Sequence, residues 1–217
     1  QAVELSIKTA IAPGCQIAPF TKWDRKNYYY PDLPKNYQIS QYDLPLSSNG
    51  LFEFRLGDHV VRVRIIRAHL EEDAGKNVHD FPGAAGFTGV DLNRAGTPLL
   101  EIVTAPDLRS AEEARDFAFQ LQRLVSYLGV SEANMQKGQM RFEPNINVRI
   151  LKDGREYKTP IVEVKNLNSF RSLHLAIRYE IERQVQEWLD TGVVAAVGNK
   201  SNRGWDDVRE VTFPQRE

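Results

Sequence analysis

Apolar and polar residues alternate with period two over two neighbouring runs, LFEFRL (51–56) and HVVRVRII (59–66), separated by Gly57-Asp58. A two-residue Gly-X connection between such runs predicts a β-hairpin. On the second run Val61, Val63 and Ile65 would face one side, and Arg62, Arg64 and Ile66 the other. The alternation returns in MRFEPNINVRI (140–150), with Met140, Phe142, Ile146, Val148 and Ile150 on one face and Arg141, Glu143, Asn145, Asn147 and Arg149 on the other. KDGREYKTP then predicts a turn, and IVEVKNL (161–167) a returning strand carrying Glu163 and Lys165 on one face. A shorter strand, LLEIVT (99–104), is ended by Pro106.

Elsewhere the period is helical. Ser110 with Glu113 forms a capping box, and Ala114, Phe117, Leu121, Leu124, Val125 and Leu128 keep one stripe up to a C-terminal Gly129. Asn168 or Ser169 caps a second long helix, with Leu173, Ile177, Ile181, Val185 and Trp188 on its buried side and Gly192 after it. AVELSIKTAIA (2–12) predicts a helix ended by Pro13-Gly14. Two stretches lack either period: a long loop at 24–46, rich in aromatics, Pro and Asn, and a Gly-rich loop at 76–89. Residues 197–217 begin one more strand. Strands in pairs with few crossovers predict an α+β fold, an antiparallel β-sheet with helices packed on one side, over a parallel doubly wound sheet.

A chain of 217 residues makes one large domain, or one domain with appendages. With 41 % hydrophobic and 26 % charged residues it reads as soluble and globular. A net charge of −1 gives no footprint for nucleic-acid binding over the whole surface, though a local basic patch is compatible with it. Cys15 is the sole cysteine, so an intrachain disulfide and a cysteine-built zinc site are excluded, a reducing compartment is the default, and Cys15 reads as a packing residue. No run of 18 apolar residues and no secretory signal appears, so no membrane partner is expected. The chain starts at Gln1 inside a helical pattern, which suggests a fragment.

Phosphate-loop, strand-GxGxxG-helix, GxSxG and HExxH motifs are all absent. What remains is carboxylates. HLEEDAGK (69–76) sets Glu71, Glu72 and Asp73 directly after a strand, and acids this close repel one another. Glu101 lies within LLEIV, between Leu99 and Val103 on an otherwise apolar row, an uncomfortable place unless paired or metal-bound. Glu143 and Glu163 sit on two further strands. Such strand-borne acids fit a hard-metal site, because Mg²⁺ takes oxygen ligands. They fit equally a solvated sheet face ion-paired to Arg62, Arg64, Arg141 and Lys165. His69 and His79 are possible ligands, although lone histidines are more often not. The tyrosines of 24–46 could stack bases or substrate, or merely pack over a core edge.

DRKNYYYPDLPKNYQISQYDLPL, RAHLEEDAGK, VDLNRAGTPLLEIVTAPDLRS and VEVKNLNSF together resemble the B-type subunits of the aspartyl/glutamyl-tRNA(Asn/Gln) amidotransferases, the GatB/GatE family, over residues 1–217. The resemblance implies a cradle (kinase/transamidation) domain, similar in fold to glutamine synthetase and guanidino kinases. It implies ATP-dependent phosphorylation of the side-chain carboxylate of mischarged Glu-tRNA(Gln) or Asp-tRNA(Asn). Amidation by ammonia from a separate glutaminase subunit would follow. The cofactors implied are Mg²⁺ and ATP. The partners implied are the A-type amidase subunit, the small C-type subunit and tRNA, in the bacterial cytoplasm or an organelle matrix or stroma.

By the same resemblance Glu72, Glu101 and Lys76 would be catalytic. Glu71, Glu72, Glu101 and Glu143 would hold metal, with Glu72 and Glu101 sharing one ion. Arg141, Asn145 and Lys165 would bind ATP phosphates, and Lys26, Asn27 and Tyr28 would bind substrate. The sequence departs from the family in Phe142-Glu143, where Cys-Asp is frequent. The family's N-terminal GLEVH segment and its C-terminal helical and tail domains are expected to lie outside these residues. That leaves a non-catalytic docking module for the partner subunits as the alternative.

Overall fold

The structure is a computed structural model that describes residues 1–78 and 86–215. It divides into two compact units, residues 1–55 with 60–107 and residues 56–59 with 108–217. His79 lies outside the described residues. The fold is mixed α and β, with three helices and mostly antiparallel sheets among the described residues. No helix among them is long and apolar enough to cross a membrane.

The first unit opens with α1 (Ala2–Ile11), stopped by Pro13 and by Gly14 at φ 70°. There follow β1 (Gln16–Ile17), β2 (Asp24–Asn27), β3 (Tyr37–Ser40), β4 (Ser47–Leu56), β5 (His59–Glu72), β6 (Lys76–Val78), β7 (Gly89–Asp91) and β8 (Pro98–Thr104). A four-stranded sheet runs β1-β4-β5-β8, while β2-β3 and β6-β7 are separate ribbons. The expected hairpin is β4-β5. Along β5 Val61, Val63 and Ile65 are buried and Arg62, Arg64 and Ile66 exposed, as the alternation requires. β5 does not stop at Ile66. After a register shift between Ile65 and Arg67 it continues through both glutamates, antiparallel to β8. The aromatic stretch 24–46 is likewise no plain loop, since it contains the β2-β3 ribbon.

Beyond Ala68, β5 outruns β4, whose first residue Ser47 donates from its hydroxyl to the Ala68 carbonyl. Buried backbone groups must still be paired. Side chains of residues 23–41 take over that edge: Gln41 Oε1 accepts from Leu70 N at 2.9 Å, Trp23 Nε1 donates to Leu70 O at 3.2 Å, and Gln38 Nε2 donates to Glu72 O at 2.6 Å.

The second unit contains α2 (Ala111–Tyr127), β9 (Asn145–Ile146), β10 (Arg149–Lys152), β11 (Arg155–Lys158), β12 (Val162–Lys165), α3 (Phe170–Thr191), β13 (Ser201–Asp206) and β14 (Val211–Pro214). The Ser110 hydroxyl caps α2 by accepting from Glu113 N, and Ser169, rather than Asn168, caps α3 by accepting from Ser172 N. Two sequence expectations need correction. Residues 140–150 are not one strand returning into 161–167. Pro144 has no N–H to donate, and only Asn145 and Ile146 pair with β12. The Asp153-Gly154 turn instead closes the local hairpin β10-β11. The main sheet, β14-β13-β12-β9, is also not purely antiparallel, because β12 and β13 run parallel and are joined through α3. Parallel neighbours need such a crossover. Both helices pack on the sheet face that carries Ile146, Val162, Val164 and Trp205.

The buried side of α3 differs from the apolar stripe read in sequence. Ser172, Leu173, Ala176, Ile177, Glu180, Gln184 and Trp188 are the buried residues. Glu180 is fully buried, and Arg183 donates to both its oxygens at 3.0–3.1 Å. Gln184 and Thr212 also donate to it, and Arg203 Nε lies 3.2 Å away.

Candidate functional site

The acids that posed the question in HLEEDAGK are separated by strand geometry. Successive residues of a strand point to opposite faces, and residues directly across an antiparallel pair share a face. In the β5-β8 register His69 lies opposite Glu101, Glu71 opposite Leu99 and Glu72 opposite Pro98. Hence His69, Glu71 and Glu101 share one face, and Glu72 belongs to the other.

On the first face the three side chains converge. His69 is 1 % exposed, and its Nε2 lies 3.0 Å from Glu71 Oε1 and 3.3 Å from Glu101 Oε2. Ser40 donates to the same Glu71 oxygen at 2.7 Å. Glu71 is buried, while about half of the Glu101 side chain (49 %) reaches solvent. Burial disfavours charge on both members of the buried pair. For His69 the hydrogen bonds to Glu101 and Glu71 outweigh burial, so its pKa lies above the ordinary histidine value. For Glu71 the hydrogen bonds from His69 and Ser40, with the Lys26 charge, outweigh burial and hold the carboxyl below the usual range. One imidazole nitrogen thus gathers Glu71 and Glu101, while Glu72 and Asp73 find partners elsewhere.

Glu72 has a different set of partners. Its Oε1 accepts from Ile39 N at 3.0 Å and pairs with the Lys35 ammonium. The structure therefore does not bring Glu72 and Glu101 together as one ligand pair; of the expected ligands it is Glu71 that joins Glu101. Asp73 turns towards Arg94, 3.4 Å from Nε to Oδ2. Arg94 also donates to the carbonyls of Ala74 and Gly75, while Gly75 N donates to Asp32 O. This locks the exit from the acid strand. Lys76 is exposed on β6 opposite Asp91, and its charge helps to hold that carboxyl low, behind hydrogen bonds from Asn93.

Of the expected substrate residues, Lys26 lies in the field of Glu71. Tyr28 donates to Gln38 Oε1 at 2.7 Å; burial and then the charges of Asp32, Glu71, Asp73 and Glu72 push its hydroxyl up. Asn27 is exposed and donates to Arg25 O at 3.4 Å. In the second unit, Asn145 and Glu163 are cross-strand partners and Lys165 follows on the same face. Lys165 Nζ lies 3.1 Å from Glu163 Oε1, and Lys200 pairs with the other Glu163 oxygen at 2.6 Å. Arg141 and Glu143 are exposed and precede β9.

The first-face cluster fits a divalent cation. Donor atoms of His69, Glu71 and Glu101 all lie within 4.8 Å of one another, comparable with the roughly 4 Å between opposite ligands around Mg²⁺. Two carboxylates suit a hard ion such as Mg²⁺ or Mn²⁺, and an imidazole suits Zn²⁺ better than either. His69 Nδ1 is buried without a hydrogen-bond partner, which leaves Nε2 as the engaged nitrogen. Sequence reasoning did not single out Ser40 or Gln38. Their signal was the period-two placement of two polar residues in YQIS, both buried here.

Comparison with known proteins gives a family-model match described as GatB/GatE catalytic domain over residues 1–217. Similar curated proteins carry the name of the B-type subunit of aspartyl/glutamyl-tRNA(Asn/Gln) amidotransferase. The one from Rhodopirellula baltica is 50 % identical over 100 % of this chain and 44 % of its own length. That from Moorella thermoacetica is 49 % identical over 100 % of the chain and 44 % of its own length. That from Carboxydothermus hydrogenoformans is 46 % identical over 99 % and 44 % respectively. The chain thus spans somewhat under half the length of these relatives.

Proposed function

Because the chain belongs to the GatB/GatE catalytic domain family, we propose that it carries the activation site of a tRNA-dependent amidotransferase. The substrate would be Glu or Asp mischarged on tRNA. A side-chain carboxylate oxygen attacks the γ-phosphorus of ATP, forming an acyl phosphate and releasing ADP. Ammonia, supplied by a partner glutaminase, then attacks the acyl carbon and expels phosphate. The fold likeness to glutamine synthetase and guanidino kinases belongs to the same proposal. It is supported by strand-borne acids and, in the second unit, by helices on one face of a sheet.

The observation that carries this reading is the His69–Glu71–Glu101 cluster on adjacent strands. Two anions, a phosphate and a carboxylate, must approach one another. A divalent ion when bound supplies the positive charge that screens them. Glu71 and Glu101 would hold that ion. His69, fixed by both, keeps them from splaying apart. On β2, Lys26 offers a positive charge beside Glu71, and Tyr28, which follows that strand, offers a hydroxyl and an aromatic face to substrate. On the opposite strand face, Glu72 ties Lys35 and Ile39 N, which fixes the ribbon bearing those two residues. Lys76 keeps its proposed catalytic role, and Arg141, Asn145 and Lys165 in the second unit are proposed ATP-phosphate contacts.

The test is ATP-dependent amidation of mischarged tRNA by the full-length protein with its partner subunits. Glu101→Gln, half-exposed and therefore little involved in folding, should lower turnover about 100-fold or more, in the range found for groups that stabilise transition-state charge. Turnover within a factor of three of the parent would remove Glu101 from the mechanism.

A further inference from the structure

We propose that Ser40 is a positioning residue for the cation site, setting the direction in which Glu71 presents its carboxylate. The inference rests on the reading of His69, Glu71 and Glu101 as that site. Ser40 closes β3 and is 4 % exposed. Its hydroxyl donates to Glu71 Oε1 at 2.7 Å, and the same oxygen faces His69 Nε2 at 3.0 Å. One carboxylate oxygen is thus held from two directions. Rotation of the carboxylate about its terminal bond breaks both contacts, so the orientation of Oε2 is set as well. Side-chain partners of metal-binding carboxylates act in this way, orienting the ligand without touching the metal.

What the serine contributes here is its hydroxyl, hydrogen-bonded to Glu71. A buried hydroxyl costs free energy unless hydrogen-bonded, and strands favour Thr or Val over Ser. The docking of β3 does not depend on the hydroxyl. Ile39 N donates to Glu72 Oε1 at 3.0 Å, Gln38 Nε2 donates to Glu72 O at 2.6 Å, and four residues of β3 pair with β2. Removing the Ser40 hydroxyl should therefore release the Glu71 carboxylate and leave the strand in place.

The experiment measures Mn²⁺ binding to the full-length protein by electron paramagnetic resonance of the free ion, for the parent, Ser40→Ala, Ser40→Thr and Glu101→Gln. Ser40→Ala should raise the Mn²⁺ dissociation constant about 10-fold, and Ser40→Thr, which restores a hydroxyl on a strand-favouring residue, should return it to near the parent value. Thermal melting of each variant monitors the fold. Ser40→Cys, similar in size with a weak donor, replaces the alanine variant should that one unfold, and should fall between parent and Glu101→Gln. If Glu101→Gln weakens Mn²⁺ binding while the Ser40 variants match the parent within twofold, the positioning role is overturned and the cation site stands. If the parent binds no Mn²⁺, or Glu101→Gln binds it as the parent does, the cation site and the role of Ser40 fall together.

Discussion

Replacing Glu180 by Gln tests the largest polar commitment in the second unit. The carboxylate is fully buried and receives hydrogen bonds from Arg183, Gln184 and Thr212, with Arg203 at 3.2 Å. Gln keeps the shape but removes the charge and turns an NH₂ group towards donors. Hydrogen bonds to a charged group contribute about 1.5–3 kcal/mol each. Losing two of them predicts a destabilisation of about 3–5 kcal/mol, the range found when one partner of a buried ion pair is removed. That is a large share of a domain stability of about 5–15 kcal/mol. Urea unfolding followed by tryptophan fluorescence measures it. In the 217-residue chain a Trp23→Phe background confines the signal to Trp188 and Trp205, both in the second unit.

The pH dependence supplies a second check. Burial raises the Glu180 pKa, but the bonds from Arg183, Thr212 and Gln184 outweigh it, and the net value lies below an ordinary glutamate. A depressed carboxylate contributes stability above its unfolded pKa of about 4.3 and loses it as pH falls through the folded value. The gap between parent and Glu180→Gln should therefore shrink below pH ~4. A gap under about 1 kcal/mol at pH 7 would refute the network's importance, since that is no more than one ordinary hydrogen bond. A gap that widens in acid would refute the sign.

Gly75→Ala should lower the melting temperature by about 3–10 °C through overpacking. An added Cβ would meet Asp91 O at 2.7 Å, Leu92 Cδ2 at 2.9 Å and Asp32 O at 3.0 Å, and an unchanged melting curve would show that this exit loop yields. Lys165→Ala should weaken nucleotide binding to the full-length protein in an ATP titration, by about 10-fold for loss of one phosphate-binding charge. Unchanged affinity would assign Lys165 to its ion pair with Glu163.

The elements with one strong period were legible in the sequence. The β4-β5 alternation, the Ser110 cap and the Gly192 terminus all stand where the residues placed them. Legibility failed where tertiary contacts override local pattern. Residues 140–150 alternate cleanly, and the alternation of burial survives in the structure. Even so, Pro144 and the Asp153-Gly154 turn divert the pairing, which alternation alone does not encode. On α3 the heptad-like apolar stripe hid Glu180 and Gln184; Arg183 lies one turn away, but Arg203 and Thr212, which complete the buried network, lie far off in sequence. At the candidate site the acids were visible as a cluster. Which of them shares a face with Glu101 needed the β5-β8 register, which a single strand's sequence does not specify.

In the proposed site Glu71 and Glu101, gathered by His69, would hold the divalent ion. Crystals of the full-length protein soaked in Mn²⁺, with anomalous diffraction recorded, test it most directly. An anomalous peak in contact with the carboxylates of Glu71 and Glu101 is the expected result. A peak bound by Glu72 without Glu71, or peaks only elsewhere on the molecule, would contradict it.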